Sequence, residues 1–325
     1  MLPLLQVRDL AVGYQLDAQR RFTVVDNLSF DIAAGQAVGL LGESGCGKTT
    51  LGLSLLRLLP AGGCVVRGTV IFRGIDLLAL GEREIQRIRG AGISMIYQEP
   101  GMALNPVVRV GNQIAEVLRA HKPLSLERSR EGAKVLLTQV GFSADKHIEE
   151  AYPHQLSGGQ KQRVVIAQAI ACHPALIIAD EPTTALDAVS QREILALLKS
   201  LQERLQLALL LISHDPGELE QVVDSILVMY AGRLVEEGPT QEVIQKPLHP
   251  YTRGLLQARP PSGLNEARKQ QLAVIPGEPP NLADLPAGCA FEPRCPDGRS
   301  LCRTRKPEEF RSEISRRVAC FNYAH

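Results

Sequence analysis

The stretch Gly42-Glu43-Ser44-Gly45-Cys46-Gly47-Lys48-Thr49-Thr50 constrains the fold of this chain more than any other. It fits G-x-x-x-x-G-K-[S/T] at every fixed position, a pattern that requires a strand to pass through a tight loop into a helix. Its glycines let the backbone turn N–H groups inward around a polyphosphate. Lys48 adds mobile positive charge, and Thr49 offers a hydroxyl for Mg²⁺. The flanks agree: residues 36–41 read as a short buried strand, while Leu51, Leu55, Leu56 and Leu59 recur at helical spacing. That helix would point the positive end of its dipole at the phosphates. A nucleoside triphosphate site is the reading.

With 36 Lys+Arg against 35 Asp+Glu, no global field draws the chain to nucleic acid or an anionic membrane. Hydrophobic residues make up 45% and charged residues 22%, as in a folded protein. No apolar run approaches the ~18 residues that suggest a membrane span, and residues 1–9 lack a basic, then apolar, leader pattern, so a cytoplasmic location is expected. Alternating stretches at residues 4–12, 22–32 and 68–72 predict an antiparallel sheet beside the nucleotide loop. Residues 111–141 switch to helical spacing through Ile114, Val117, Leu118, Ala133, Leu136, Leu137 and Val140, which reads as a helical insertion. Strand and helix alternate again at residues 175–179, 191–205 and 207–212, and paired strands at 225–230 and 233–237 turn at Ala231-Gly232. Six prolines between Arg259 and Gly288 predict an extended surface linker. The expected fold is α/β: a P-loop NTPase core with an antiparallel β subdomain, a helical subdomain and a small irregular C-terminal extension. The nucleotide-binding domain would take residues 1–258, its helical part about 100–172, and the extension 259–325.

Two further segments narrow the chemistry. Ala175-Leu176-Ile177-Ile178-Ala179-Asp180-Glu181 is an apolar strand ending in two carboxylates. Such a pair suits Asp180 to the Mg²⁺ shell and Glu181 to deprotonating the attacking water. Leu156-Ser157-Gly158-Gly159-Gln160 is a second glycine-rich helix start and a second anion cradle. With one Lys-bearing loop in the chain, a spare cradle makes sense if it closes on the nucleotide of another subunit in a two-fold or pseudo-two-fold dimer. His214 follows an apolar strand at its C-terminal end, where open α/β sheets bind ligands.

These segments and their order resemble the ATP-binding subunit of an ABC transporter over nearly the whole chain. The resemblance implies that Tyr14 stacks on adenine and that Gly42, Ser44, Gly45, Cys46, Gly47, Lys48, Thr49 and Thr50 hold the phosphates. It implies that Thr49, Gln98 and Asp180 serve Mg²⁺, with Gln98 also sensing the membrane partner. Glu181 would be the catalytic base and His214 would touch the γ-phosphate. Ser157, Gly158, Gly159 and Gln160 would serve the partner's ATP, and Ala185-Leu186-Asp187 would cross to the opposite subunit. Tyr97-Gln98-Glu99-Pro100-Gly101-Met102-Ala103-Leu104-Asn105-Pro106 and Leu248-His249-Pro250-Tyr251-Thr252-Arg253-Gly254-Leu255-Leu256 are similar to segments of dipeptide, oligopeptide and nickel importers. Gly101-Met102 departs from the Met-Thr or Met-Ser expected there, and Pro216 is unusual after His214-Asp215. The implied function is ATP hydrolysis that drives import of peptides or nickel at the cytoplasmic face of the membrane. Implied partners are a second ATPase subunit, two permeases and an extracytoplasmic binding protein, with no nucleic acid. The alternative is an ABC-type ATPase acting on nucleic acid or ribosomes, or in iron–sulfur assembly; the first lacks support from any basic arm, coiled-coil run or second ATPase unit.

Four of the seven cysteines crowd into the tail as Cys289, Cys295, Cys302 and Cys320, spaced C-x5-C-x6-C-x17-C. No close C-x2-4-C pair favours zinc, and a reducing compartment disfavours disulfides. A [4Fe–4S] cluster tolerates looser spacing and is preferred over zinc or free thiols. The tail is also similar to the C-terminal extension of the same importers, some of which carry such a cluster.

Overall fold

The computed structural model describes residues 3–15, 21–143, 147–258, 274–312 and 316–324. In chain order the elements are β1 (Leu5–Gln15), β2 (Arg21–Ile32), β3 (Ala37–Leu41), α1 (Lys48–Leu55), β4 (Gly63–Phe72), β5 (Ile75–Asp76), α2 (Glu82–Ile88) and β6 (Ile93–Ile96). Then come α3 (Pro100–Ala103), α4 (Val110–His121), α5 (Leu126–Gln139), α6 (Gly158–Ile170), β7 (Leu176–Asp180), α7 (Ala188–Leu205), β8 (Ala208–Ser213) and α8 (Pro216–Val222). The last are β9 (Ser225–Tyr230), β10 (Arg233–Pro239), α9 (Thr240–Gln245), α10 (Pro250–Gln257), α11 (Ser300–Thr304), β11 (Phe310–Ser312) and β12 (Arg316–Val318). Two compact units result. One comprises Met1–Ile32, Val38–Leu78 and Ile212–His325, the other Ala33–Ala37 and Ala79–Leu211.

In the first unit an antiparallel sheet runs β2-β1-β4-β5. Leu5 and Val7 are buried on β1, but the buried set then moves to Leu10 and Val12. The register shifts between Val7 and Leu10, and Asp9 sits at φ 49, so a bulge carries the extra residue. Without it, Leu10 and Val12 would face the wrong side of a period-2 strand. The second set of strands in this unit is ordered β11-β12-β10-β9-β3. Its β9–β10 hairpin turns through Ala231 and Gly232 at φ 47 and 80, the left-handed pair a tight hairpin needs.

The tail has more regular structure than its low periodicity suggests. β12 pairs with β10 and β11 with β12, but three-residue strands are too short to leave a period-2 signature. Of the proline-rich linker expected at 259–288, residues 259–273 lie outside the described residues. Residues 274–288 contain no helix or strand and are mostly exposed, as prolines that cannot donate to a ladder require.

In the second unit β8, β7 and β6 lie side by side, with β6 parallel to β7. Every residue of β7 is buried. The helical insertion takes the form of α4 and α5, whose apolar residues at three- and four-residue spacing, such as Ile114, Leu118, Ala133, Leu136 and Leu137, form the buried faces. Among the described residues no helix is long and apolar enough to cross a membrane.

Candidate functional site

The phosphate loop lies in the first unit, between β3 and α1. Gly47 is the residue before the helix, at φ 107, and no side chain caps α1. The first N–H groups of α1 thus have no serine or aspartate cap, an arrangement that suits an anion at the helix start. A Cβ on Gly47 would sit 2.9 Å from the Val24 carbonyl oxygen, so both conformation and space demand glycine there. Lys48 is only 4% exposed and bends back over the loop, its Nζ donating to the Gly42 carbonyl at 2.8 Å and the Glu43 carbonyl at 3.0 Å. Ser44, Gly45 and Thr49 are exposed, Thr50 is half-buried, and Cys46 is buried with its thiol pushed up by desolvation. Cys46 therefore contributes packing and not a reactive sulfur.

The same unit holds Tyr14 and His214. Tyr14 is half-buried on β1, its ring centroid 6.1 Å from that of Phe22. His214 is exposed just after β8, and Asp215 then caps α8 by accepting the Gly217 N–H at 2.7 Å. Pro216 occupies the first position of α8, where its missing N–H costs no hydrogen bond.

The second unit assembles Gln98 and Glu181. Glu181 follows β7 with φ 44, an uncommon value for a residue with a side chain. One carboxylate oxygen, Oε2, accepts both Gln98 Nε2 at 3.2 Å and Thr184 Oγ1 at 3.1 Å. Asp180, 2% exposed, ends the strand just before it. Thr184 escaped the sequence reading; the only clue was a hydroxyl three residues beyond a carboxylate, within reach once the chain turns. Ser157 caps α6 in a reciprocal box: its Oγ accepts the Gln160 N–H at 3.3 Å, and Gln160 Oε1 accepts the Ser157 N–H at 3.0 Å. Ser157 and Gly158 are exposed and Gly159 and Gln160 half-buried, so the start of this helix is presented at the surface. Asp187 caps α7, and hydrogen bonds led by the Ser190 N–H hold its carboxyl below the usual range.

Cys289, Cys295, Cys302 and Cys320 border one small cavity in the first unit. The Cys289 N–H donates to the Cys302 carbonyl at 2.7 Å. Burial raises the thiols of Cys289, Cys295 and Cys320, Cys295 to about 11, and neighbouring thiols of the four add to each shift. Among the described residues no group of three or more His, Cys, Asp or Glu side chains is placed to hold a metal ion, so the geometry of the four cysteines does not support the cluster expected from their number.

The family profile described as "ABC transporter" matches residues 25–184, and that of the "Oligopeptide/dipeptide transporter, C-terminal region" matches residues 235–302. The oligopeptide transport ATP-binding protein AppD of Bacillus subtilis is 41% identical over 324 residues, 99% of this chain and 98% of that protein. The chain belongs to the ABC transporter family. The ABC cassette is an ATPase, and Asp180 at the end of β7, Glu181 after it and the loop before α1 are groups that suit that activity. OppD of Escherichia coli, also an oligopeptide transport ATP-binding protein, is 42% identical over 98% of this chain and 93% of its own. Among solved structures, a dimeric post-hydrolysis state of the ATP-binding cassette MJ0796 with ADP and Pi matches at a TM-score of 0.64 and 26% identity, covering 73% of this chain and 98% of that one.

Proposed function

We propose that this ABC ATPase powers import of peptides, working with a second ATPase subunit and membrane permeases, and docking on the cytoplasmic side of the membrane. The observation that carries the reading is the joint match of residues 25–184 to the ABC transporter profile and of 235–302 to the oligopeptide and dipeptide transporter extension. Peptide is favoured over nickel because the similar proteins are named for oligopeptide transport. An extracytoplasmic binding protein delivering the peptide completes the assembly. Docking has a physical counterpart in the segment after Gln98: Met102 is 83% exposed and Val107 78%, apolar groups that suit a protein contact.

In this reading Tyr14 stacks on the base, while the loop N–H groups and Lys48 hold the phosphates. The oxygen donors Thr49, Gln98 and Asp180 are hard ligands of the kind Mg²⁺ takes, and the ion would neutralise phosphate charge. Gln98 and Thr184 both donate to one oxygen of Glu181, which orients the carboxylate toward water, and His214 supports the developing charge on the transferred phosphoryl group. Ser157 to Gln160 present their helix start to the nucleotide of the second subunit, so ATP favours the closed pair and hydrolysis releases it.

The reading also gives the four tail thiols a [4Fe–4S] cluster, which takes four thiolates, each on a different iron; what supports it is their number and that all four residues line one cavity. That cavity, which His249, Phe291 and Phe321 also line, has a volume of about 10 Å³. A cluster would therefore be built in as the segment folds, acting as a staple for it. Iron and sulfide at about four each per chain in oxygen-free preparations would support this, and zinc or no metal would dismiss it.

Glu181→Gln tests the ATPase assignment. The variant should bind ATP, lose turnover by about 10²-fold or more, and accumulate as an ATP-bound dimer in size-exclusion chromatography. Normal turnover would remove Glu181 as the base. Labelled oligopeptide uptake should disappear in cells carrying Lys48→Ala in place of the natural chain; unchanged uptake would overturn the transport role.

A further inference from the structure

Arg294, directly before Cys295 in the thiol-bearing segment, reaches the phosphate loop. Its side chain is 6% exposed, and its two terminal nitrogens donate to the two carboxylate oxygens of Glu43 at 2.7 and 2.9 Å. Its Nε donates to the Pro276 carbonyl at 2.9 Å. A two-pronged, charge-assisted contact of this kind specifies orientation as well as attraction. Glu43 is the residue after Gly42, at a position the loop pattern leaves open.

The peptide groups of Glu43 are also held. Its N–H donates to the hydroxyl of fully buried Tyr251 at 2.8 Å, and its carbonyl accepts Lys48 Nζ at 3.0 Å. Tyr251 in turn packs against Tyr230 and Phe291, with ring centroids 4.5 and 5.4 Å away. The Cys46 N–H also donates to the Glu43 carbonyl, at 3.3 Å, so four restraints meet on one loop residue, and two of them come from the C-terminal part of the chain. Movement of Glu43 would carry the resting partner of Lys48 with it.

We propose that Arg294 is a positioning residue of the nucleotide site: acting through Glu43, it holds the loop and Lys48 in the shape that receives phosphates. ATP affinity then depends on the order of the four-cysteine segment. The inference rests on the reading of Gly42 to Thr50 as the ATP loop. Glu43 is partly exposed, so water can take over some of the lost contact when Arg294 is removed, and the effect falls below that of a fully buried ion pair.

The test is ATP binding and steady-state hydrolysis on the purified full chain, with Arg294→Ala, Arg294→Lys, Glu43→Gln, the double variant Arg294→Ala/Glu43→Gln, and Lys48→Ala. Arg294→Ala and Glu43→Gln should each weaken ATP binding and raise KM about tenfold, the size expected for losing hydrogen bonds to a charged group, with kcat at saturating ATP little changed. The double variant should be no worse than the worse single variant, because both remove the same contact. Lysine should restore only part of the affinity, since it cannot make the two-pronged contact. Additive losses, or natural affinity in Arg294→Ala, would overturn the proposal. A purely structural fastening would lower the folded fraction without changing the KM of the molecules that remain folded. Should Arg294→Ala fail to fold, Glu43→Gln decides by the same KM criterion. Lys48→Ala separates the two readings: natural ATP affinity in that variant would refute the loop assignment, whereas a silent Arg294→Ala beside a defective Lys48→Ala refutes only the clamp.

Discussion

Replacing Arg316 by methionine removes one half of a buried ion pair, and burial sets the size of the effect. The Arg316 and Glu236 side chains are 8% and 0% exposed, with Nη2 to Oε1 at 2.6 Å. Arg8 and Asp31 make a contact of the same length, but their side chains are 42% and 46% exposed. Distance therefore cannot separate the pairs, and solvent must. An exposed pair contributes about 0 to 1 kcal/mol, whereas removing one member of a buried pair costs about 3 to 5 kcal/mol because the other charge is stranded. Glu236 would keep two donors, the Leu248 and His249 N–H groups, each at 2.9 Å. That places Arg316→Met near the lower end, at about 3 kcal/mol, against about 0.5 kcal/mol for Arg8→Met. The Arg316 guanidinium also donates to the Lys246 carbonyl at 2.8 Å, so its loss should loosen β12 and the approach to α10 first. Urea unfolding followed by circular dichroism, with limited proteolysis to locate the first cut, measures both. Glu236→Gln combined with Arg316→Met should recover part of the loss by removing the stranded charge. Equal destabilisation by Arg316→Met and Arg8→Met would refute the argument from burial.

Thr184→Val keeps shape but deletes a donor to Glu181 Oε2, so kcat should fall about tenfold with ATP affinity unchanged; an unaltered kcat would remove Thr184 from the orientation of the base. Acid should also destabilise the first unit through His249. Burial, and then the charge of Arg253, lower its pKa to about 3, so the folded form stays neutral while the unfolded chain takes up a proton below about 6.5. That contribution is whole above about pH 6.5 and is lost as pH falls toward 3, the loss reaching about 2 kcal/mol at pH 5. His249→Asn retains a side chain able to cap α10 and should flatten this part of the pH dependence of the urea midpoint; an unchanged slope would show that His249 does not titrate between the folded and unfolded states.

The features legible in the sequence are those with a local or periodic cause. The β3–loop–α1 order follows from a pattern that works in only one backbone context, and α4 and α5 follow from apolar spacing. The turn at Ala231-Gly232 was readable for the same reason. The bulge at Asp9 was not, because alternation gives a strand without its register, and the flip from Val7 to Leu10 shows only against the neighbouring strands. α1 ends at Leu55, so Leu59 continues the apolar spacing beyond the helix itself. β11 and β12 were hidden by their length. At the site, Gln98 and Glu181 were both singled out from the sequence, yet their hydrogen bond spans 83 positions and no spacing rule predicts it. Thr184 and Arg294 were missed because their value lies in what they touch.

The open positions of the loop pattern, Glu43, Ser44, Gly45 and Cys46, show what this chain has added to a general device. Ser44 and Gly45 are exposed, Cys46 packs inward, and Glu43 turns to Arg294 and Tyr251. In the proposed reading the required residues Gly47, Lys48 and Thr49 answer to phosphate, the ligand the pattern is built for. The variable ones answer to whatever part of the chain lies behind the loop. Here that part lies within residues 235–302, which match the oligopeptide/dipeptide transporter C-terminal profile, and its contact falls one residue from the lysine's carbonyl partner at Gly42. The buried arginine at 294 is matched by the acid at position 43, since without Glu43 its charge would keep only the Pro276 carbonyl and the Tyr230 hydroxyl as acceptors. The pairing therefore makes loop and extension one mechanical unit, and a change at the thiols that displaced Arg294 would be felt first at Glu43, before it reached any group that handles the reacting phosphate.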